Sequence, residues 1–141
     1  MLRQSLLAAG FAVAFAGGAL AATEHYHATL SAAAEVPPTR STGSGEANVT
    51  LDTGTHELTW DITFSGFSSE VIAAHIHGPA EAGKNAGVVV PLGNAPRSPL
   101  HGSAKLTAEQ EKQLAAGLYY VNVHSKDDPS GAVRGQLEAV K

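Results

Sequence analysis

His56-Glu-Leu-Thr-Trp-Asp-Ile-Thr-Phe64 decides the fold class. Leu58, Trp60, Ile62 and Phe64 fall on one parity, and Glu57, Thr59, Asp61 and Thr63 on the other. That strict alternation is the pattern of an antiparallel strand with one face in a core and one in water. Asp52-Thr-Gly-Thr55 precedes it as a turn, and Glu46-Ala-Asn-Val-Thr-Leu51 precedes the turn as a second strand, so 46–64 reads as a hairpin. The same reading places strands over 24–31, 70–77, 86–92, 118–124 and 132–140, with Gly, Pro, Ser and Asn clustered between them.

One segment departs from period two. Thr107-Ala-Glu-Gln-Glu-Lys-Gln-Leu-Ala-Ala116 is rich in helix formers, Thr107 with Gln110 makes a capping box, and Gly117 supplies a stop. The expectation is an all-β, antiparallel sandwich or flattened barrel of around seven strands, with one short inserted helix. Residues 78–86 and 93–102 read as loops.

The chain has 141 residues, enough for one domain. Residues 1–21 carry Arg3, an apolar run from Leu6 to Phe15 and Ala19-Leu20-Ala21, the three-part pattern of a secretory signal peptide cut after Ala21. A retained amphipathic anchor is the alternative. The run is too short to span a bilayer, so no membrane association is expected after cleavage, and the location is periplasmic or secreted. The remaining domain, 22–141, has eight basic against thirteen acidic residues, a net charge of −5. With no basic patch interleaved with aromatics, nucleic acid is excluded as a partner. Cysteine is absent, so the core or a bound metal must hold the fold. No nucleophile motif or phosphate loop is present, which argues against a hydrolase.

All seven histidines lie in the mature chain. Strand parity puts His75 and His77 on the face opposite Ala74 and Ile76. It puts His124 with Tyr120 and Asn122, opposite Tyr119, Val121 and Val123, and it puts Arg134 opposite Val133. Near the start, His25 and His27 lie opposite Tyr26 and Ala28. If the strands of His75, His77 and His124 are neighbours, three imidazoles converge outside a rigid sheet as a metal site, copper being favoured over zinc by the affinity order. Such a clamp needs nitrogens within roughly 4 Å. Otherwise these are solvated histidines bonded to loop carbonyls. His25 and His27 are either a frayed terminus or further ligands. Cleavage one residue later would start the chain at Thr23-Glu24-His25, whose amine, amides and imidazole suit square-planar Cu(II). Asp127 and Asp128 read as turn caps, with orientation of a ligand imidazole as the alternative. Arg134 reads as an anion-steering cation or as half of a salt bridge with Asp127 or Asp128.

Four ordered blocks carry a family resemblance: Leu30-Ser31 with Glu35-Val-Pro-Pro38, Ala74-His-Ile-His-Gly-Pro79, Gly117-Leu-Tyr-Tyr-Val-Asn-Val-His124 and Gly131-Ala-Val-Arg-Gly-Gln136. Over 24–140 the chain resembles the CHRD domain, a module named after chordin and also found alone in exported bacterial proteins. The resemblance implies an immunoglobulin-like β-sandwich and no firm activity. A fainter one is to copper-zinc superoxide dismutases: His75-Ile-His77 looks like their copper-ligand strand, and Val123-His-Ser-Lys-Asp-Asp128 like the stretch bearing a further copper histidine. It implies His75, His77 and His124 as copper ligands and Arg134 as the guide for a small anion such as superoxide. The zinc ligands and the disulfide of that family have no counterpart here, His101 being wrongly spaced. Three functions follow as expectations: a copper-binding protein, a copper-only dismutase-like enzyme, and a metal-free module that offers the loops around Gly78 and Pro96 to a protein partner.

Overall fold

The computed structural model describes residues 17–18 and 20–141. The leader read over 1–21 lies almost wholly outside them. Nine strands and one helix follow in order: Thr23–Leu30 (β1), Ser44–Asp52 (β2), Glu57–Ser65 (β3), Val71–His77 (β4), Val88–Asn94 (β5), Leu100–Lys105 (β6), Ala108–Ala115 (α1), Tyr120–Ser125 (β7), Val133–Gln136 (β8) and Glu138–Ala139 (β9). They form two antiparallel sheets, β6-β3-β2-β1-β9 and β5-β4-β7-β8. The domain is the expected all-β sandwich with one inserted helix. Among the described residues, no helix is long and apolar enough to cross a membrane.

The hairpin of β2 and β3 sets the first sheet. Val49 pairs with Trp60 and Leu51 with Leu58, which stacks the apolar parity of both strands on one face. Asp52 Oδ1 closes the turn by accepting from the amides of Gly54 and Thr55, at 2.8 and 3.0 Å. That face meets Ala74, Ile76, Val121, Val123 and Val133 of the second sheet in a single core. Helix α1 starts at the Thr107–Gln110 capping box and buries Leu114 against the core.

Three elements differ from the sequence reading. Leu100–Lys105 is a strand rather than loop, pairing Trp60 with Gly102. A Cβ on Gly102 would stand 2.4 Å from Trp60 Cζ2, so the indole needs a glycine opposite it, and that glycine interrupts the apolar alternation. β5 runs two residues beyond Leu92, its Pro91 tolerated because the strand is an edge. The last segment is two strands: β8 lies in the second sheet and β9 in the first, and the chain crosses over at buried Leu137. At the same seam β1 touches the other sheet, where Ser31 and Arg134 exchange two backbone hydrogen bonds, at 3.0 and 3.1 Å.

Candidate metal centre

β4 lies beside β7, with His75 opposite Asn122 and Ala73 opposite His124. His75 and His124 are therefore diagonal neighbours on the outer face of the second sheet, within reach of long side chains. His75, His77 and His124 each offer one ring nitrogen to a common point, with no two of these atoms more than 4.8 Å apart. Among the described residues this is the one cluster of three such groups.

Two backbone carbonyls settle the tautomers. His77 Nδ1 donates to Ala86 O at 2.9 Å, and His124 Nδ1 donates to Pro129 O at 3.0 Å. A carbonyl only accepts, so the proton sits on Nδ1 in both rings and Nε2 carries the free lone pair. His77 Nε2 is buried and has no hydrogen-bond partner. His124 Nε2 stands 3.0 Å from His75 Nδ1. At metal–nitrogen bonds of about 2.0–2.1 Å, a 3.0 Å separation corresponds to an angle of roughly 90–100°, an ordinary ligand angle. The widest spacing, 4.8 Å, exceeds the roughly 4 Å that two such bonds span, so the rings must draw together for all three to hold one ion.

Burial disfavours the charged form of all three rings. The pKa of His75 lies below the usual 6.5 because of desolvation and its two imidazole neighbours. His77 is lowered by desolvation, against its bond to Ala86, with His124 and Arg134 adding to the effect. His124 is lowered by desolvation, against its bond to Pro129. Neutral imidazole is the ligating form.

The rings are not on an open surface, as parity alone led us to expect. His124 is 7 % exposed, and His75 and His77 are half-buried. Residues 78–87 fold over the sheet face. There Tyr120 Oη accepts from the Ala86 amide at 3.0 Å and donates to its carbonyl at 3.2 Å. The Tyr120 ring stacks on His77, with centroids 5.1 Å apart and planes 7° from parallel.

Arg134 corrects the sequence reading most. It shares the expected face but is 1 % exposed, so it is no open steering cation. Its guanidinium lies 3.4 Å from the centroid of the Tyr120 ring and donates to Asn85 Oδ1 at 3.2 Å and Glu81 O at 3.3 Å. It thus pins the covering loop and pairs with neither Asp127 nor Asp128. Asp127 instead accepts from Ser68 Oγ at 3.1 Å, and Pro129 O rather than an aspartate orients His124.

His25 and His27 are not brought to the cluster. They lie on the outer face of the first sheet, beside Thr50 Oγ1 (3.2 Å) and Glu46 Oε2 (2.7 Å) respectively. In the uncleaved chain Thr23, Glu24 and His25 are extended and paired with β2. His101 faces Asp61 at 3.6 Å on that sheet, and His56 bonds Glu111 at 2.8 Å beside the helix.

A strap missed by the sequence reading completes the face. After β1 the chain turns through a 3-10 helix, Ala32–Ala34, and runs over 35–39 along the second sheet. Thr39 Oγ1 donates to Ala132 O at 2.7 Å, and Asn85 Nδ2 to Val36 O at 2.8 Å. Between the strap and Asp127–Gly131 lies a cleft of about 350 Å³. Glu35, 6 % exposed, meets Asn122 beneath it. In the sequence Glu35 stands out only as the first residue of the Glu35-Val-Pro-Pro38 block, with nothing to show that it is buried.

A model of the CHRD domain matches residues 26–137. This chain belongs to the CHRD-domain family. The CHRD family blocks accordingly meet on one face: strap, His75-Ile-His77 strand, β7 and β8 surround the cluster and its cover. Comparison with curated proteins and with solved structures yields no match. CHRD membership marks the chain as a module of the extracellular type.

Proposed function

We propose that this CHRD domain is exported to the periplasm or beyond and there binds copper, with zinc the weaker alternative, through His77 Nε2, His124 Nε2 and His75 Nδ1. One observation carries this reading: two rings have their Nδ1 protons committed to backbone carbonyls, which leaves His124 Nε2 bare beside the third imidazole and His77 Nε2 bare and unpartnered in the same cluster. Orphaned Nε2 of His77 is a buried lone pair without a proton to accept, which a cation relieves. Neutral imidazoles suit copper and zinc, and copper binds more tightly at such sites. Half-buried His75 leaves one approach open, as a carrier that takes up and releases its ion requires. An open position also admits a substrate, so copper-only, dismutase-like turnover is the second reading. Arg134, sealed under the loop, does not support electrostatic guidance in that reading.

The processed protein, loaded with Cu(II), is measured for metal stoichiometry and by electron paramagnetic resonance, beside His75→Ala/His124→Ala. One equivalent with nitrogen hyperfine structure, lost in the double variant, is expected. Equal binding by the variant rules out the site. If copper binds, a superoxide assay separates carrier from enzyme. No binding by either protein favours the metal-free interaction module.

A further inference from the structure

Glu35 and Asn122 form a second polar centre that the histidine cluster does not use. Asn122, 4 % exposed, donates from Nδ2 to Glu35 Oε2 at 3.4 Å. The other two oxygens, Glu35 Oε1 and Asn122 Oδ1, are buried without any partner. Both converge on Gly131: a Cβ built there would stand 2.7 Å from each, and 2.8 Å from Asn122 Nδ2. Gly131 also has φ +135°, so the position excludes a side chain twice over.

Two buried acceptors at one point, with no donor between them, are each left with an unmet hydrogen bond, which the fold does not tolerate without compensation. A carboxylate can only accept, whereas a carboxylic acid has one O–H to give. A proton on Oε1 donates to Asn122 Oδ1, while Oε2 keeps the bond from Nδ2. Acid and amide then close a ring of two hydrogen bonds and no orphan remains.

We propose that Glu35 is a buried proton-binding site, a neutral acid paired with the Asn122 amide, whose proton latches the strap onto the outer face of the second sheet. The electrostatics agree with the geometry. Desolvation pushes the Glu35 carboxyl up to about 7, against the Asn122 bond and the Arg134 charge, and Asp128 adds to the rise. Those are the groups that face it: Asn122 from β7, Arg134 from β8 and Asp128 from the turn between them. Arg134 makes no ion pair with Glu35; its Nη1 and Nη2 donate to Asn85 Oδ1 and Glu81 O instead. With the folded pKa above the ordinary 4.5, the stability due to the pair is complete below about 4.5 and lost as pH rises through about 7. The bond from Asn122 Nδ2 survives the loss of the proton, but Glu35 Oε1 and Asn122 Oδ1 are again left without a donor between them.

The test uses the processed protein labelled with ¹³C-glutamate and followed by carboxyl NMR from pH 4 to 9, with melting temperatures over the same range. One Glu carboxyl is expected to titrate with its midpoint near 7 and to be missing from Glu35→Gln. The Gln amide reproduces both bonds of the ring. This variant is therefore expected to melt with the wild type at pH 5 and several degrees above it at pH 8. Overturning results are every Glu carboxyl titrating in the ordinary range, or a folded Glu35→Gln melting below the wild type at pH 5. Should the variant fail to fold, the wild-type titration decides alone.

Discussion

His75 Nδ1 and His124 Nε2 face each other at 3.0 Å across the β4–β7 pair, and Pro129 O holds the His124 proton on the far side of its ring. In the metal-free protein His75 Nδ1 is therefore the donor. A bound ion takes the place of that proton, so loading with Zn(II) must switch His75 to the Nε2–H tautomer while His77 and His124 keep theirs. Long-range ¹⁵N–¹H NMR of the rings reads all three. A metal-free His75 with its proton on Nε2 contradicts the assignment.

His77 contributes both a ligand and one side of the Tyr120 stack. His77→Ala is expected to weaken copper binding by more than the roughly 10–100-fold typical of losing an outer-shell partner. Competition with a chromophoric chelator measures it. A loss under tenfold would remove His77 from the ligand set.

All three imidazoles have pKa values below 6.5 in the folded state. The unfolded chain takes up protons first on acidification, so the stability they contribute is present above 6.5 and is lost as pH falls through the depressed folded values. The metal-free melting temperature should drop from pH 7 to pH 5, and metal affinity should drop with it, since protons compete for the same nitrogens. His75→Gln/His77→Gln/His124→Gln should flatten much of this dependence. The Glu35 transition runs in the opposite direction, so the wild type has a maximum of stability between the two.

Arg134 is a packing and loop-pinning residue. Arg134→Ala should cost about 2–4 kcal/mol in urea unfolding, the range for breaking a buried network. Arg134→Lys should recover little of it, because a point charge cannot both cover the Tyr120 ring and reach Asn85 and Glu81. If the domain proves to have dismutase activity, its salt dependence should be the same with either residue. A salt slope that persists in Arg134→Lys but vanishes in Arg134→Gln would restore the steering role.

Gly102 is the seat of Trp60. Gly102→Ala places a methyl in contact with the indole and should cost about 1–3 kcal/mol through overpacking, read by thermal unfolding. A neutral result would mean that β6 stands further from β3 than the pairing implies.

Much of this was legible in the sequence because period two is a property of neighbours along the chain. The hairpin of β2 and β3, the capped helix and the shared face of His75, His77, His124 and Arg134 all follow from alternation or local caps. Parity names a face but not what lies over it. Strap 35–39 and loop 78–87 cover the second sheet through bonds between distant residues, such as Asn85 to Val36, and local spacing carries no trace of them. Arg134 shows the limit: its face follows from parity, while its burial depends on a loop about fifty residues away. β6 was hidden because its central inward position is a glycine chosen by the shape of Trp60. Glu35 carries no periodic signal, and its surroundings exist only once Asn122 and Gly131 are folded beside it.

β1 is hydrogen-bonded to β2 on one edge, to β9 on the other, and through Ser31 to β8. The first of these partners follows it closely in the chain, while the other two are more than a hundred residues away. During synthesis β1 can find only one of these three neighbours until the final segment has been made. The seam between the sheets closes last, after the costliest loop in the molecule. A domain wired in this way cannot complete the seam between its sheets until its last strands have been made, so its two ends are joined in one closing contact.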